Sequence, residues 1–454
     1  LRFKLREGVR FHGDWGEFTA KDVQHTMQDI MADDSKAGQS SLFRRDVERV
    51  EIINDHEVVF HNNIADADLM PAIAQLGISL LIQSKAHFDR DGLPTLAVPP
   101  LAGTGPYQFL DREQTRFIRF EKVPYDHWRM TPDFQELELR WLNEASTRLA
   151  SLLTDEIHLS IIPEDSLPQA ISTGKKVVQG NVPGLRTAMR PRCCYLLPAT
   201  SETRGSIATS TEYKHPDSPM MDVRVRQALN MAIDRDLLNK SFFGGKGEKM
   251  IMNPHHPTRL GWDPSWEARF EQEYGYDPER AKALLSDAGY NSSNPLETNL
   301  HVINLSSYSG SEDVVEAIAG FWRDIGINPI LISSTRSERN AKHRSFEYEN
   351  DWMIYQTSSH ITLSYRVHKT SHPPRGGAME VPEMDALFTT VRKTLDLAEQ
   401  DRLLRDLGNI QFPLFTDIPL FWLTAEVVVN PDIVSDYVFP GSISGTWTHL
   451  ENIQ

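Results

Sequence analysis

Residues 3–23 read FKLREGVRFHGDWGEFTAKDV and predict a strand, a turn and a capped helix in immediate succession. Phe3 and Leu5 alternate with basic residues, which is the period-two pattern of a half-buried strand. Thr19 and Asp22 have the spacing of a capping box, and the helix that they open has apolar residues at helical spacing. Because a chain seldom begins directly on a strand, we expect a sequence whose first part is missing.

Length and composition indicate a globular protein of two or three domains. The chain has 454 residues, of which 40% are hydrophobic and 24% are charged. The formal net charge of −16 argues against nucleic acid and anionic bilayers as partners, because both attract basic surfaces. The longest apolar run, 69–84, is interrupted by Pro71 and Gln75 and is too short to span a membrane, so we predict a buried helix–strand segment there.

The two cysteines, Cys193 and Cys194, are neighbours in the sequence. Adjacent cysteines seldom bridge to each other because the geometry is strained. The sequence therefore predicts no disulfide. A low cysteine count fits a bacterial cytosol and an envelope compartment equally well.

Strand-like and helix-like segments alternate along the whole chain, which favours an α/β fold. Two helices have particularly clear end signals: Asp222 precedes one, and Asp277-Pro278 precedes another that ends before Gly289. The strand–helix–strand order of residues 300–332 predicts a βαβ-like unit. Further helices are predicted at 144–153, 384–395 and 400–411, and further strands at 50–52, 58–60, 107–110, 116–121, 352–355 and 419–429.

Enzyme motifs are incomplete wherever they begin. His56-Glu57 lacks the second histidine of a zinc protease. Gly103-Thr104-Gly105 lacks the third glycine of a dinucleotide loop, and a predicted strand follows it. Residues 441–445 place Ile443 where a hydrolase nucleophile is required. None of these motifs therefore predicts an enzyme, a catalytic residue or a cofactor.

His360, His368 and His372 lie close together in the sequence, around the long predicted loop 368–382. A metal site requires the three imidazoles to converge and to be oriented by further hydrogen-bond partners. Exposed loop histidines, or a single histidine that bonds to a ligand, are the alternative. We favour that alternative and predict no metal site.

Five segments carry a family resemblance when they are read in order. They are FKLREGVRFH…FTAKDV at 3–23, GTGPYQF at 103–109, NEASTRLASLLTDEIHL at 143–159, DVRVRQALNMAIDRDLL at 222–238 and YDPERAKALLSDAGY at 276–290. Each segment is moderately specific alone. Together they cover nearly the whole chain and resemble the family 5 extracellular solute-binding proteins, which are the dipeptide-, oligopeptide- and nickel-binding components of bacterial ABC importers.

The resemblance implies an α/β architecture of two lobes, the type II or Venus flytrap form of the periplasmic binding proteins, with an extra subdomain. Residues 1–102 are then the remainder of the extra subdomain of lobe I, 103–250 the core of lobe I, 251–418 lobe II, and 419–454 the return to lobe I. The chain is expected to cross between the lobes near 250 and near 420. Closure around a ligand selects one of two lobe arrangements.

The resemblance also implies a function, partners and a location. It implies a substrate-binding component that captures a small polar solute and delivers it to an ABC permease. The expected location is the periplasm or the extracellular face of the cytoplasmic membrane, and the expected state is a monomer. There are two alternatives. One is a sensor that keeps the fold but signals to a partner protein, and the other is an uncharacterised hydrolase.

One position departs from the peptide-binding members of the family. In those members the strand that matches 352–355 leads to an aspartate that pairs with the α-ammonium group of the ligand, and here His360 falls in that place. A histidine cannot replace a buried carboxylate that faces an ammonium group. An ordinary peptide is therefore a weaker candidate than a neutral polyol or oligosaccharide, an opine or other anionic conjugate, or a metal chelate.

The expected ligand-binding residues follow from the same comparison and from their chemistry. Polar groups at the carboxyl end of a strand are where ligands of α/β folds usually bind. A surface ion pair is the alternative role of Arg190. Trp422 either stacks on the solute or fills a core. The candidates are Gln356, Thr357, Ser358, Ser359, His360, Arg190, Tyr195 and Trp422.

The resemblance bears on the start of the chain as well. In the family, the segment FKLREGVRFH lies well inside the protein, after a first strand and a hairpin. We therefore expect an N-terminally truncated member. The strand at Arg2–Arg6 is expected to have lost a neighbour and to lie at an exposed sheet edge.

Overall fold

The fold is described from a computed structural model. The structure describes residues 1–35, 37, 40–67, 69–74, 80–95, 99–200, 202–203, 208–303, 305, 310–357, 365, 378–437 and 449–454. Three β-sheets organise these residues, and helices cover them.

The strands are β1 (Arg2–Lys4), β2 (Val47–Asn54), β3 (Glu57–Asn62), β4 (Tyr107–Glu113), β5 (Phe117–Lys122), β6 (Glu136–Arg140), β7 (Leu159–Ser160), β8 (Lys176–Arg192), β9 (Glu248–Lys249), β10 (Glu297–Val302), β11 (Asn328–Ser333), β12 (Asp351–Thr357) and β13 (Ile418–Val429). The helices are α1 (Ala20–Met31), α2 (Ser40–Asp46), α3 (Leu69–Ile73), α4 (Lys85–Asp91), α5 (Ala145–Leu153), α6 (Leu167–Ser172), α7 (Val223–Met231), α8 (Arg235–Phe242), α9 (Ser265–Glu273), α10 (Pro278–Asp287), α11 (Ser311–Asp324), α12 (Arg336–Ser345), α13 (Pro382–Lys393) and α14 (Leu397–Gln411).

The N-terminal subdomain is a three-stranded sheet in the order β1-β3-β2, with α1 packed on it. The predicted capping box is confirmed, because the Asp22 carboxylate accepts the backbone N–H of Thr19 at 2.8 Å. The strands predicted at 50–52 and 58–60 are confirmed within β2 and β3, which form an antiparallel hairpin. Within the described residues β1 pairs with β3 alone, so it forms an edge of this sheet.

A second three-stranded sheet, β4-β5-β6, lies between the N-terminal subdomain and the next core. His12 bonds through Nε2 to the carbonyl oxygen of Gly105 at 2.8 Å, at the turn that precedes β4. On the other side, Phe134 and Leu137 pack against Val178. The chain up to β6 is therefore tied to the apolar cluster around Val178.

The third sheet has seven strands in the order β11-β10-β12-β8-β13-β7, with β9 also paired to β13. Strands β10, β11 and β12 are parallel, and α11 connects β10 to β11, so the predicted βαβ unit is confirmed. Helices α7 and α10 begin at the predicted caps: the Asp222 and Asp277 carboxylates accept the backbone N–H groups of Arg224 and Arg280, at 2.8 and 2.9 Å respectively.

Strands β8 and β13 are antiparallel neighbours that run from one apolar core into another. Leu185 and Leu423 lie in a large core with the helices α7, α11, α13 and α14, whereas Val178 and Val427 lie in the smaller cluster that includes Phe134. The pairing register shifts between Leu423 and Glu426, which is where the strands leave one core for the other. This two-strand connection has the form of a hinge.

The domain boundaries predicted from the sequence remain predictions. Helices α7 and α8 contribute Val225 and Leu238 to the same core as Leu300 and Trp352. The packing therefore favours a crossing within β8 over one near residue 250. The crossing within β13 lies close to the expected position near 420.

A buried ion cluster joins the N-terminal subdomain to the large core. Arg392 of α13 lies 2.5 Å from the Asp66 carboxylate and 3.2 Å from that of Asp46, and Arg45 also pairs with Asp46. Both carboxylates are fully buried. Because α13 packs in the large core through Phe388, this cluster links two separate packing units.

The charge state of the cluster predicts a pH effect on stability. Burial raises the pKa of Asp46 from 3.8 to about 6; Arg45 opposes the shift, and Asp66 adds to it. The folded protein therefore keeps a proton that the unfolded chain releases between about pH 4 and pH 6, so this group stabilises the fold as the pH falls through about 6. We expect the wild type to gain unfolding free energy from about pH 7 to pH 5 relative to Asp46→Asn in urea titrations. Parallel pH profiles of the two proteins contradict this expectation.

Cys193 and Cys194 bridge to each other, so the prediction of no disulfide is wrong. Cys194 lies in the left-handed region, at φ +62°, just after the end of β8. This turn brings the two side chains together although neighbouring residues normally project apart. Both side chains are buried in the large core.

Candidate functional site

The carboxyl end of β12 meets the middle of β8 and the start of β13. Thr357 pairs with Arg186, Tyr355 pairs with Ala188, and Trp422 pairs with Arg186 from the other side. Because directly paired residues project to the same face of a sheet, the side chains of Tyr355 and Trp422 share one face with those of Arg186 and Arg190. We name this surface, defined by Arg186, Arg190, Tyr355 and Trp422, the arginine face.

A polar network ties the arginine face to the segment 253–259. Arg190 donates through Nε to Asp417 at 3.3 Å, and the other oxygen of Asp417 accepts from the Asn253 amide at 3.1 Å. Arg186 donates to the Asn253 side-chain oxygen at 2.8 Å. Arg186 is 1% exposed and Asp417 4% exposed. The network therefore holds charged groups in the interior, where charge carries a high cost unless it is paired.

The arginines stay charged in this setting. Burial lowers the pKa of Arg186 to about 10; Tyr355 and Asp417 oppose the shift, whereas the positive charges of Arg190 and Arg259 add to it. Burial acts on Arg190 as well, but Tyr355 and Asp417 outweigh it and raise the pKa of Arg190. At neutral pH each guanidinium group therefore remains protonated.

Aromatic rings cover two of the guanidinium groups. The Arg190 guanidinium carbon lies 3.9 Å from the centroid of the Tyr355 ring, and that of Arg259 lies 4.6 Å from the Trp422 ring. His256 meets the Trp422 ring edge-on at 5.0 Å. Such cation–π contacts suit arginines that have lost hydration. The predicted residues Arg190 and Trp422 thus lie on the same face, and Tyr355 packs against Trp422.

Gln356 lies on the opposite face of the sheet. Its amide nitrogen donates to the Thr187 hydroxyl at 3.2 Å, and its buried Oε1 has no hydrogen-bond partner among the described residues. Gln356 lines a cavity of about 190 Å³ together with Leu185 and Phe243. At the same cavity Lys246 donates to Glu164 at 2.8 Å. The cavity lies where β8 and β13 pass between the two cores.

Tyr195 lies apart from these residues. It is fully buried, and its ring packs edge-on against Phe346 at 5.1 Å, in a cluster with Tyr348 and Met353. Burial raises the pKa of Tyr195 far above its usual range. The structure does not bring Tyr195 together with Trp422, which belongs to a different cluster.

The other predicted residues are only partly within the described chain. Thr357 ends β12, and its backbone pairs with Arg186. Ser358, Ser359 and His360 lie outside the described residues, as do His368 and His372. Their assignment to the site stays a prediction.

Four residues of this network were not predicted from the sequence: Arg186, Asn253, Arg259 and Asp417. One signal could have found the first. Residues 186–192 read RTAMRPR, which places basic side chains at alternate positions and hence on one face of a strand. The predicted alternative for Arg190, a surface ion pair, is wrong about exposure, because the pair with Asp417 is buried.

The described residues contain no metal-binding cluster and no membrane-spanning helix. Within that part of the chain, no three His, Cys, Asp or Glu side chains converge in a way that could hold a metal ion. None of the described helices combines the length and the apolar character needed to cross a membrane.

Comparison with known proteins identifies relatives along most of the chain. The family model described as "Bacterial extracellular solute-binding proteins, family 5 Middle" matches residues 1–364. Heme-binding protein A of Haemophilus influenzae is 26% identical over 363 residues, which cover 75% of this chain and 60% of that protein. Di/tripeptide-binding protein 2 of Pseudomonas aeruginosa is 28% identical over 371 residues, with coverage of 78% and 64%. The chain thus spans less than two thirds of the length of these relatives.

A solved structure matches the whole chain. The dipeptide-binding protein of a Pseudoalteromonas species, in complex with Met-Leu, aligns with a TM-score of 0.77 at 19% identity and covers 100% of this chain and 87% of its own. At this identity the likeness shows the fold alone. The fold class predicted from the sequence, a type II periplasmic-binding-protein architecture, is confirmed.

Proposed function

Because this chain belongs to family 5 of the bacterial extracellular solute-binding proteins, we propose that it captures a small polar solute between two lobes and delivers it to an ABC permease. Its relatives are binding proteins, and we propose the same non-catalytic role here. We also propose that the protein works as a monomer in the periplasm or at the outer face of the cytoplasmic membrane.

The observation that carries this proposal is the two-strand connection of β8 and β13. Two cores are joined by two neighbouring strands whose register shifts between the cores, around Leu423 and Glu426. Such a connection allows two rigid bodies to rotate about a few backbone positions. Arg190 and Trp422 lie beside it on the arginine face, and Gln356 lies beside it on the opposite face of the sheet.

The proposed ligand contacts keep the residues expected from the sequence, with differing support. Arg190 and Trp422 are supported by their shared position on the arginine face. Gln356 is supported by its unsatisfied Oε1 at the hinge cavity. Tyr195 has the weakest support, since it is fully buried among apolar residues.

A ligand screen by thermal unfolding tests the proposal. A solute at 100 times its dissociation constant is expected to stabilise the protein by about 2.7 kcal/mol, because it binds the folded state alone. The panel contains dipeptides, oligosaccharides, opines and nickel chelates, each measured against buffer. A protein whose melting temperature responds to none of these classes argues against solute capture.

Hinge closure provides an independent readout. Small-angle X-ray scattering with the stabilising solute is expected to give a smaller radius of gyration than without it, because the ligand selects the closed arrangement. An unchanged radius together with a clear thermal shift indicates binding without lobe movement, and contradicts the flytrap part of the proposal.

A further inference from the structure

An ion bridge lies beside the hinge strands, on the side opposite the arginine face. The Lys246 ammonium group lies 2.8 Å from the Glu164 carboxylate and 3.2 Å from the Glu426 carboxylate. Glu426 also accepts the Gln179 amide at 2.8 Å, across the pairing of β8 with β13. The three charged residues line the same cavity as Gln356. We name Lys246, Glu164 and Glu426 the back bridge.

The back bridge joins two separately packed parts of the chain. We call the part packed in the large core the large body, and the part packed around Val428 and the neighbouring smaller cluster the small body. Lys246 follows α8 in the large body, where Phe243 packs in the large core. Glu164 precedes α6 in the small body, where Leu167 packs with Val428. A change in the angle between the bodies therefore changes the distance between Lys246 and Glu164.

The loop after α8 is fixed to that helix and holds Lys246 in position. The Asn239 side chain accepts the backbone N–H of Gly247 at 2.9 Å and donates to the Gly247 carbonyl oxygen at 2.8 Å. Two backbone hydrogen bonds close the turn, from the Gly245 N–H to the Asn239 carbonyl oxygen and from the Lys246 N–H to the Phe243 carbonyl oxygen. Lys246 is therefore carried by a well-bonded turn that moves with the large body.

Gly244 allows the Glu164 carboxylate to lie directly against this loop. Its φ of +59° lies in the left-handed region that favours glycine. A Cβ atom at Gly244 would lie 2.7 Å from the carboxylate carbon of Glu164, which is closer than van der Waals contact allows. Gly245 has a similar φ of +75°, but the space around its Cβ position is open. The close approach of the two bodies thus depends on Gly244.

The charges of the back bridge are partly shielded from water. The Glu164 and Glu426 side chains are 26% and 25% exposed, and the Lys246 side chain is 37% exposed. Burial acts to lower the pKa of Lys246, but the two carboxylates outweigh it and raise the pKa. The ammonium group is therefore charged at neutral pH. A network of this kind is screened less by salt than a fully exposed ion pair.

We propose that the back bridge is a latch that stabilises the open arrangement of the two lobes and opposes their closure over the arginine face. The inference rests on the proposed function, because it requires the lobes to rotate about β8 and β13. The back bridge and the arginine face lie on opposite sides of these strands, so a rotation that closes one side opens the other. The cavity of about 190 Å³ beside the bridge forfeits apolar contacts between the bodies, which leaves more of their contact to the ion network. A solute that binds the closed arrangement has to offset the latch.

Spin labels on the two sides of the back bridge test the inference without any solute. Ser241→Cys on α8 and Gln169→Cys on α6 place one label on each body, and both positions are exposed. The two native cysteines are bridged to each other, so the introduced thiols are the ones that react. Double electron–electron resonance gives the distribution of distances between the labels. Because closure opens the side of the back bridge, we expect the closed arrangement to appear as a longer distance.

Substitutions within the latch are expected to shift this distribution. Lys246→Gln removes the shared cation and is expected to raise the population of the longer distance about 3-fold. Glu164→Gln and the double variant are expected to give the same increase, because each breaks the same interaction. Lys282→Gln makes the same charge change on the exposed surface of α10 and is expected to leave the distribution unchanged.

Two neighbouring glycines provide a matched pair that changes no charge. Gly244→Ala and Gly245→Ala each add a methyl group at a positive φ in the same loop, and the methyl group of Gly244→Ala alone displaces the Glu164 carboxylate. We therefore expect Gly244→Ala to raise the population of the longer distance and Gly245→Ala to leave it unchanged. Circular dichroism checks that each variant is folded.

The outcomes separate the latch from the proposed function. A distribution that is the same in the wild type, Lys246→Gln and Gly244→Ala overturns the inference, as does a shift of these variants towards shorter distances. Solute capture is judged by the thermal screen and is unaffected by that result. Shifted distributions in a protein that responds to none of the screened solutes support the latch and contradict solute capture.

Discussion

Asp417→Ala is expected to lower the free energy of unfolding by about 3–5 kcal/mol. The carboxylate is buried, accepts from Asn253 at 3.1 Å, and is the ion-pair partner of Arg190 at 3.3 Å. Its removal leaves Arg190 in the interior without its neutralising charge, and the Asn253 amide loses an acceptor. The loss is expected to exceed the cost of an ordinary surface substitution several-fold.

Chemical denaturation measures this effect, and the chain offers a matched control. Asp432→Ala makes the same change at an exposed aspartate and is expected to alter stability by no more than about 0.5 kcal/mol. Arg190→Met in the Asp417→Ala background removes the stranded charge, so the double variant is expected to regain part of the lost stability. A loss below about 1 kcal/mol in Asp417→Ala contradicts the view that the pair supports the hinge.

Local signals predicted most of the helices and strands because those signals act over a few residues. The caps at Thr19, Asp222 and Asp277 need only a side-chain oxygen and the next turn of backbone, and each helix begins where its cap predicts. Strand β8 was missed for the opposite reason. It contains Pro183 and Pro191, which usually argue against a strand, and its pairing with β12 and β13 overrides that local preference.

The site was harder to predict than the fold because its partners are distant in sequence. Arg186 and Asn253 are 67 positions apart, and Arg190 and Asp417 are 227 positions apart. They meet through the register of β8 with β13, which no sequence period specifies. The family resemblance supplied Arg190 and Trp422 by position.

The charges of the buried ion cluster are paired within the protein. In the cluster, two arginines meet two carboxylates, so Arg45, Asp46, Asp66 and Arg392 are balanced among themselves. The cluster joins α13 to the N-terminal subdomain. We therefore infer a structural role for the cluster, and we expect its loss to lower the free energy of unfolding.

Arg392→Ala is expected to destabilise the protein by about 3–5 kcal/mol, because two fully buried carboxylates then lose an arginine that pairs with both of them. Urea unfolding at neutral pH measures the loss, and Arg402→Ala, an exposed arginine of α14, is the matched control. Asp66→Asn in the Arg392→Ala background removes one of the stranded charges and is expected to recover part of the loss. Arg392→Ala is also expected to recover stability as the pH is lowered, because burial already raises the pKa of Asp46 in the wild type and protonation removes its stranded charge. The opposite result is a small loss of unfolding free energy in Arg392→Ala that becomes larger when Asp66→Asn is added. That result contradicts the view that charge balance stabilises the cluster.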